Sequence, residues 1–260
     1  MDLANHRLYV RGLSLREPVP ADNYLHDLPV VRALAREPLA FRCPVTFLVG
    51  ENGVGKSTLI EALAVALGFN AEGGTKNFNF ATEETHSRLC DYIRVSRGTA
   101  RPRDGFFLRA ESFYNVATNI DAMDREPSFG PPVIDSYGGV SLHQQSHGES
   151  FLALVENRFG GQGVYILDEP EAALSPMRQM RLMANMQRLV EAGSQFIIST
   201  HSPILMTFPG AEVWEITESG IRSVPYRETE HYQITRRFLE APERMLRYLL
   251  NGEEDADGEP

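Results

Sequence analysis

Short runs of mostly apolar residues recur along the chain, and each ends where glycine, carboxylate or hydroxyl side chains take over. Residues 45–49 (VTFLV), 163–167 (GVYIL) and 195–199 (QFIIS) carry apolar side chains at successive positions, which predicts strands covered on both faces. Residues 57–67 and 176–191 repeat apolar positions at intervals of three and four, which predicts helices. Weaker patterns fill the gaps. Residues 8–15 alternate as an opening strand, 28–34 suit a short helix or turn, and 83–94 have helical spacing through Leu89, Tyr92 and Ile93. Residues 106–110 form a further strand and 112–123 a further helix. Helical spacing resumes in the segment that ends at 146–154, residues 213–216 and 221–224 bracket Ser219 and Gly220 as a hairpin, and 234–250 supply one or two closing helices. Glycine and proline mark 68–74, 97–105 and 124–139 as connections. Strands alternating with helices predict an α/β fold with a mainly parallel sheet flanked by helices.

Composition narrows the class. The chain has 260 residues, 42% hydrophobic and 23% charged, and no apolar run approaches the roughly 20 residues that a membrane span needs. No basic stretch followed by an apolar one opens it, so a cytoplasmic protein without direct membrane insertion is expected. Cys43 and Cys90 stand far apart with no CxxC partner, which indicates neither zinc nor a disulfide framework. The net charge of −10 argues against non-specific coating of nucleic acid. Part of that excess lies in residues 251–260, which read as an acidic disordered tail. Against the acidic total, Arg94, Arg97, Arg101 and Arg103 concentrate positive charge in one short stretch.

The chemistry begins where the first apolar strand ends. Gly50, Glu51, Asn52, Gly53, Val54, Gly55, Lys56, Ser57 and Thr58 spell GENGVGKST, the phosphate-binding loop between a strand and a helix. Consecutive amides must turn inward around phosphate oxygens, so glycines are needed where a side chain would obstruct them. Lys56 then reaches the β and γ phosphates and Ser57 binds Mg²⁺. The strand at 163–167 runs into Asp168 and Glu169, an arrangement in which Asp168 joins the Mg²⁺ shell and Glu169 polarises water. Both strands are expected side by side in the sheet. His201 follows the strand at 195–199 and emerges at the carboxyl edge, where open α/β sheets bind ligands, placed to contact a γ-phosphate. Tyr9, Tyr24 and Phe41 are the aromatic candidates for stacking on a base.

The order GENGVGKST, SHGES, YILDEPEAALSP and ISTHS resembles the ATP-binding-cassette (ABC) ATPases. Its DEPE…LSP form is similar to the soluble ATPases related to RecF and SMC heads. The resemblance implies a P-loop NTPase fold with an antiparallel edge subdomain, one domain over residues 1–250 with a signature-helix subdomain at about 76–160, and ATP and Mg²⁺ as ligands. It also implies a homodimer in the ATP state. The signature loop Ser146, His147, Gly148 and Glu149 would cap the γ-phosphate held by the opposite subunit, and residues 172–175 would cross the dimer interface. His147 stands where the commonest signature has glycine, and Glu149 where transporters often have glutamine. No glutamine occupies the expected metal-lining position, and Glu111 is the substitute there. The 90 positions from Lys56 to Ser146 leave no room for a long coiled-coil arm, and no NKxD motif points to guanine. The function implied is an ATP-hydrolysing molecular switch acting on an unidentified effector protein. The alternatives are an energising subunit of a membrane transporter and an armless DNA-binding or repair clamp, to which the arginines at 94–103 are the only local pointer.

Overall fold

The computed structural model describes residues 8–75, 87–110, 113–125 and 132–251. In chain order the strands are β1 (Val10–Leu15), β2 (Leu39–Ala40), β3 (Val45–Val49), β4 (Ile93–Arg97), β5 (Asp104–Arg109), β6 (Gly163–Asp168), β7 (Gln195–Ser199), β8 (Glu212–Thr217) and β9 (Gly220–Ser223). The helices are α1 (Pro29–Arg36), α2 (Lys56–Leu67), α3 (Leu89–Tyr92), α4 (Phe113–Arg125), α5 (His147–Arg158), α6 (Pro176–Glu191), α7 (Glu230–Glu240) and α8 (Pro242–Asn251). Six strands make one sheet in the order β5-β6-β7-β3-β8-β9, parallel except for the closing β8–β9 hairpin. Three make a separate antiparallel sheet in the order β2-β1-β4.

Side chains point alternately to the two faces of a strand, and here each face of the large sheet has its own apolar core. On one face, Leu48, Ile166 and Ile197 pack with Leu59, Ile60 and Leu63 of α2, with α1 and with Val10 and Leu13 of the small sheet. On the other, Phe47, Tyr165, Leu167 and Ile198 pack with α4, α5 and α6 through Phe113, Phe151, Leu182 and Met186. The helix that follows the phosphate loop and the helix that follows Ser146 therefore lie on opposite faces.

Two expectations change. The phosphate-loop strand and the carboxylate strand are not neighbours, because β7 inserts between β3 and β6 and pairs with both in parallel. The doubly wound order places the strand leading to His201 at the centre. The segment around Leu89, Tyr92 and Ile93 is helical only to Tyr92; Ile93–Arg97 instead pairs with β1, Ile93 opposite Leu15. Ile93 and Val95 turn inward while Arg94 and Ser96 are exposed, the period of two that a strand paired with β1 selects over helical spacing. Residues 83–86 of that expected helix, the start of the chain and the acidic tail from 252 lie outside the described residues.

One buried polar side chain joins the two sheets. Gln195, at the start of β7, accepts from the Tyr9 and Val10 amides, both at 2.9 Å, and donates Nε2 to the Val10 carbonyl at 2.8 Å. Replacing it with leucine strands two buried amides and a carbonyl. Gln195→Leu is expected to lower unfolding stability by about 2–4 kcal/mol, since each orphaned buried group costs about 1–3 kcal/mol; urea unfolding measures it, and an unchanged midpoint would contradict the role given to this side chain.

Candidate functional site

The loop from Gly50 to Gly55 turns out of β3 and starts α2. Gly50, Gly53 and Gly55 have φ of +146°, +87° and +94°. At Gly55 a Cβ would stand 2.5 Å from Val30 Cγ1, and at Gly50 it would stand 2.3 Å from the Ile216 carbonyl oxygen, so neither position admits a side chain. The Val30 amide donates to the Val54 carbonyl at 3.2 Å, which braces the loop against α1. Glu51, Asn52 and Gly53 are exposed, Val54 is buried, and Ser57 and Thr58 are half-buried on the first turn of α2. Lys56 is buried beside the loop, with Nζ donating to the carbonyls of Gly50 (2.8 Å) and Glu51 (2.9 Å). Burial pulls its pKa below the ordinary lysine value, and the nearby Glu169 and Asp168 carboxylates oppose that shift.

Asp168 ends β6 with its carboxylate buried. Ser199 donates its hydroxyl to Oδ1, the Ser57 hydroxyl bonds the same carboxylate, and Arg109 Nε lies 3.5 Å from Oδ2. Burial raises the pKa of Asp168, and those three contacts work against the rise. Arg109 also pairs at 2.6 Å with Glu61 on α2. Glu169 takes the left-handed conformation, φ +49°, unusual for a residue with a side chain. Its amide is held by Ser199, leaving a half-exposed carboxylate 3.5 Å from Nε2 of His201. His201 is held from two further sides: its amide donates to Glu171 Oε1 at 2.5 Å, and its Nδ1 lies 2.8 Å from Nε2 of His231. Burial first, and then Lys56 and His231, push the His201 pKa from the ordinary 6.5 down to about 4.

Ser57 and Asp168 fit the Mg²⁺ expected of such a loop. Their donors are hard oxygens already in contact with each other, and Mg²⁺ is commonly held by one or two protein oxygens with phosphate and water completing the shell. Among the described residues no group of three or more His, Cys, Asp or Glu side chains is placed to hold a metal by itself. Glu111, the expected third contributor, lies outside the described residues.

The signature loop stands apart from this cluster. Ser146 caps α5 in a reciprocal box: its amide and hydroxyl reach Glu149 Oε2 at 3.1 and 2.5 Å. Arg178 on α6 donates to Glu149 Oε1 at 3.0 Å. A Cβ at Gly148 would stand 2.7 Å from the Ala173 carbonyl oxygen, so the loop packs directly on the turn at residues 170–173 that follows Glu169. His147 meets the Phe113 ring edge-on. The hydrogen bonds from Ser146 lower the pKa of Glu149, and Arg178 adds to that.

Sequence reasoning passed over four contributors. Glu171, the third acid of DEPE, binds the His201 amide; Arg109 and Glu61 form the charged chain that ends on Asp168; and His231 is brought to His201 by α7 from 30 positions away. The DEPE spacing held a signal for Glu171. Nothing in the local pattern around His231 does. The three aromatic candidates separate cleanly. Tyr9 is buried at the opposite end of β7, its hydroxyl on the Gly193 carbonyl, and Phe41 is buried against Trp214. Tyr24 is 66% exposed, four residues before the Leu28 that flanks Gly55. Arg94, Arg97, Arg101 and Arg103 are all exposed, the first two on β4 and the others in the connection to β5.

Family descriptions match two segments of the chain: AAA domain over residues 31–111 and AAA ATPase domain over residues 150–206. The first holds the phosphate loop, and the second holds Asp168, Glu169 and His201. Both matched segments are similar to AAA-type ATPase domains, and relatives that include ABC ATP-binding proteins resemble the chain in sequence. Its fold is similar to cbiO1 of Clostridium perfringens, described as part of an ABC transporter complex, at a TM-score of 0.51 and 17% identity over 91% of this chain and 97% of that one. In sequence the chain is 24% identical over 59% of its length to the nucleoside import ATP-binding protein NupA of Lactococcus lactis. It is 26% identical over 66% to the ribose import ATP-binding protein RbsA of Shigella dysenteriae. It is also 28% identical over 45% to a Vibrio cholerae protein named "Retron Vc95 probable ATPase". The chain spans 32%, 35% and 25% of the length of these relatives. No helix among the described residues is long and apolar enough to cross a membrane.

The low pKa of His201 has a consequence for stability. Between about pH 4 and 6.5 the unfolded chain binds a proton at this position that the folded chain does not, so stability falls as pH falls through that window. Urea unfolding at pH 7 and pH 5 should show the wild type losing more stability than His201→Gln on acidification; equal losses would place His201 in a more open setting than the structure gives it.

Proposed function

We propose that two copies of this chain close around Mg·ATP, that Glu169 drives hydrolysis, and that opening and closing make the domain a switch for a partner protein. The observation that carries this reading is spatial. Lys56, Ser57, Asp168, Glu169 and His201 converge at the carboxyl edge of β3, β6 and β7, whereas Ser146 caps a helix packed on the opposite face of the sheet from α2. One chain therefore supplies a phosphate cradle and, on its other side, a second anion-facing helix start. A second copy in reciprocal orientation brings the two together.

In this reading the loop amides and Lys56 hold the β and γ phosphates, and the Ser57 hydroxyl and Asp168 carboxylate hold Mg²⁺, which supplies charge neutralisation on those oxygens. Glu169, held forward by its left-handed backbone, accepts a proton from the attacking water. His201 presents Nε2 to the γ-phosphate beside Glu169. Across the interface, Ser146 and the first amides of α5 offer donors, and Arg178 offsets the charge of Glu149 next to the incoming phosphate. Tyr24 stacks on the adenine. A transporter-energising subunit is the second reading, favoured by the import proteins among the relatives; it keeps the same site chemistry and changes only the partner, and co-purification with a membrane protein distinguishes it.

Turnover and mass with ATP test the central reading. Glu169→Gln should bind ATP, lose about 10²–10⁴-fold in kcat and accumulate as a dimer; turnover equal to wild type would refute the role of Glu169. Lys56→Ala should lose ATP binding and dimerisation together. For the base, Tyr24→Ala should raise KM for ATP about tenfold, from roughly 1–1.5 kcal/mol of lost stacking, with kcat little changed; an unaltered KM would remove Tyr24 from the site.

A further inference from the structure

The ring of His201 lies between Glu169 and a residue from a distant part of the chain. His231 is on the first turn of α7, and that turn is firmly placed. Thr229, fully buried, caps the helix by accepting the Tyr232 amide. The Glu230 amide donates to Glu215 on β8 at 3.3 Å, and Glu215 is itself buried and paired with Arg222 at 2.6 Å. The result is a 2.8 Å contact between His231 Nε2 and His201 Nδ1.

A hydrogen bond between two neutral imidazoles has one proton, so either ring could donate. The far side of His201 decides. Its Nε2 lies 3.5 Å from Oε1 of Glu169, and a carboxylate favours an N–H rather than a lone pair on the nitrogen that faces it. With the proton on Nε2, Nδ1 of a neutral ring is an acceptor, and His231 must be the donor. The same tautomer is the one a γ-phosphate requires, since phosphate oxygens at neutral pH accept and do not donate.

We infer that His231 is a positioning residue for His201: by donating Nε2–H to Nδ1 it holds the ring as the Nε2–H tautomer, with that proton aimed at Glu169 and the γ-phosphate position. The arrangement parallels the hydrogen bonds that set the tautomer of metal-binding histidines from behind. It also ties the start of α7 to the residue beside the catalytic carboxylate. The γ-phosphate part rests on the ATP reading above; the tautomer and its donor rest on the contacts of this chain alone.

The two parts are tested separately. In nucleotide-free protein, ¹⁵N imidazole correlation spectra should show His201 protonated on Nε2 and bare on Nδ1. His231→Glu, which replaces a donor by an acceptor, should move a proton onto Nδ1; an Nδ1 still bare in that variant overturns the inference. In turnover assays His231→Ala should lower kcat about three- to tenfold, the worth of one orienting hydrogen bond, with KM for ATP within about twofold. His231→Gln, which keeps a donor at similar reach, should recover most of that loss. Unchanged kcat in His231→Ala, or a glutamine variant as impaired as the alanine one, overturns the positioning role. Absence of turnover in every protein, with the expected spectra, would fail the ATP reading and leave the His231–His201 assignment standing.

Discussion

A buried carboxylate held by donors from three separate elements sets the terms for the rest of this structure. Asp168 ends a strand that is covered on both faces, and burial there favours the neutral acid. Three donors oppose that tendency, and each comes from a different element: Ser199 from β7, Ser57 from α2 and Arg109 from β5. The parallel order β5-β6-β7-β3 brings these elements to one edge, and the in-register pairs Arg109 with Asp168 and Asp168 with Ser199 place the side chains at one height. The same pairing carries Glu169 and His201 just beyond the sheet.

The apolar cores on the two faces do more than stabilise the sheet. One seats α2 under the phosphate loop, and the other seats α5 and α6, so that Ser146 is capped on the face away from Lys56. In the proposed dimer, a nucleotide held by the loop of one copy would meet the donors at Ser146 of the other. The dimer proposed above follows from how helices are divided between faces, and the helix start at Ser146 that it would use is capped within the single chain.

Around His201 the structure is dense with polar contacts from separate parts of the chain: Glu171 on its amide, His231 on Nδ1, Glu169 facing Nε2. With its amide fixed and its Nδ1 bonded to His231, the ring is oriented toward Glu169. Through His231, the C-terminal helices share that anchorage. They expose Leu239, Leu249 and Leu250.

Much of this was legible in the chain itself. A phosphate loop is recognisable because its glycines answer a local need, left-handed backbone and close approach, and its lysine and serine follow at fixed offsets in a helix. The apolar runs at β3, β6 and β7 identified the buried strands, and the residues ending them identified Asp168, Glu169 and His201. Contacts between distant segments were not legible. Strand order depends on which faces pack, so the insertion of β7 between β3 and β6 had no local signature, and Ile93–Arg97 became a strand because β1 offered an edge to pair with. His231, Arg109 and Glu61 carry no motif at all. Their roles exist only because packing brings them to a carboxylate or a ring, and hydrogen bonds and ion pairs act over a few ångströms of space whatever their separation along the sequence.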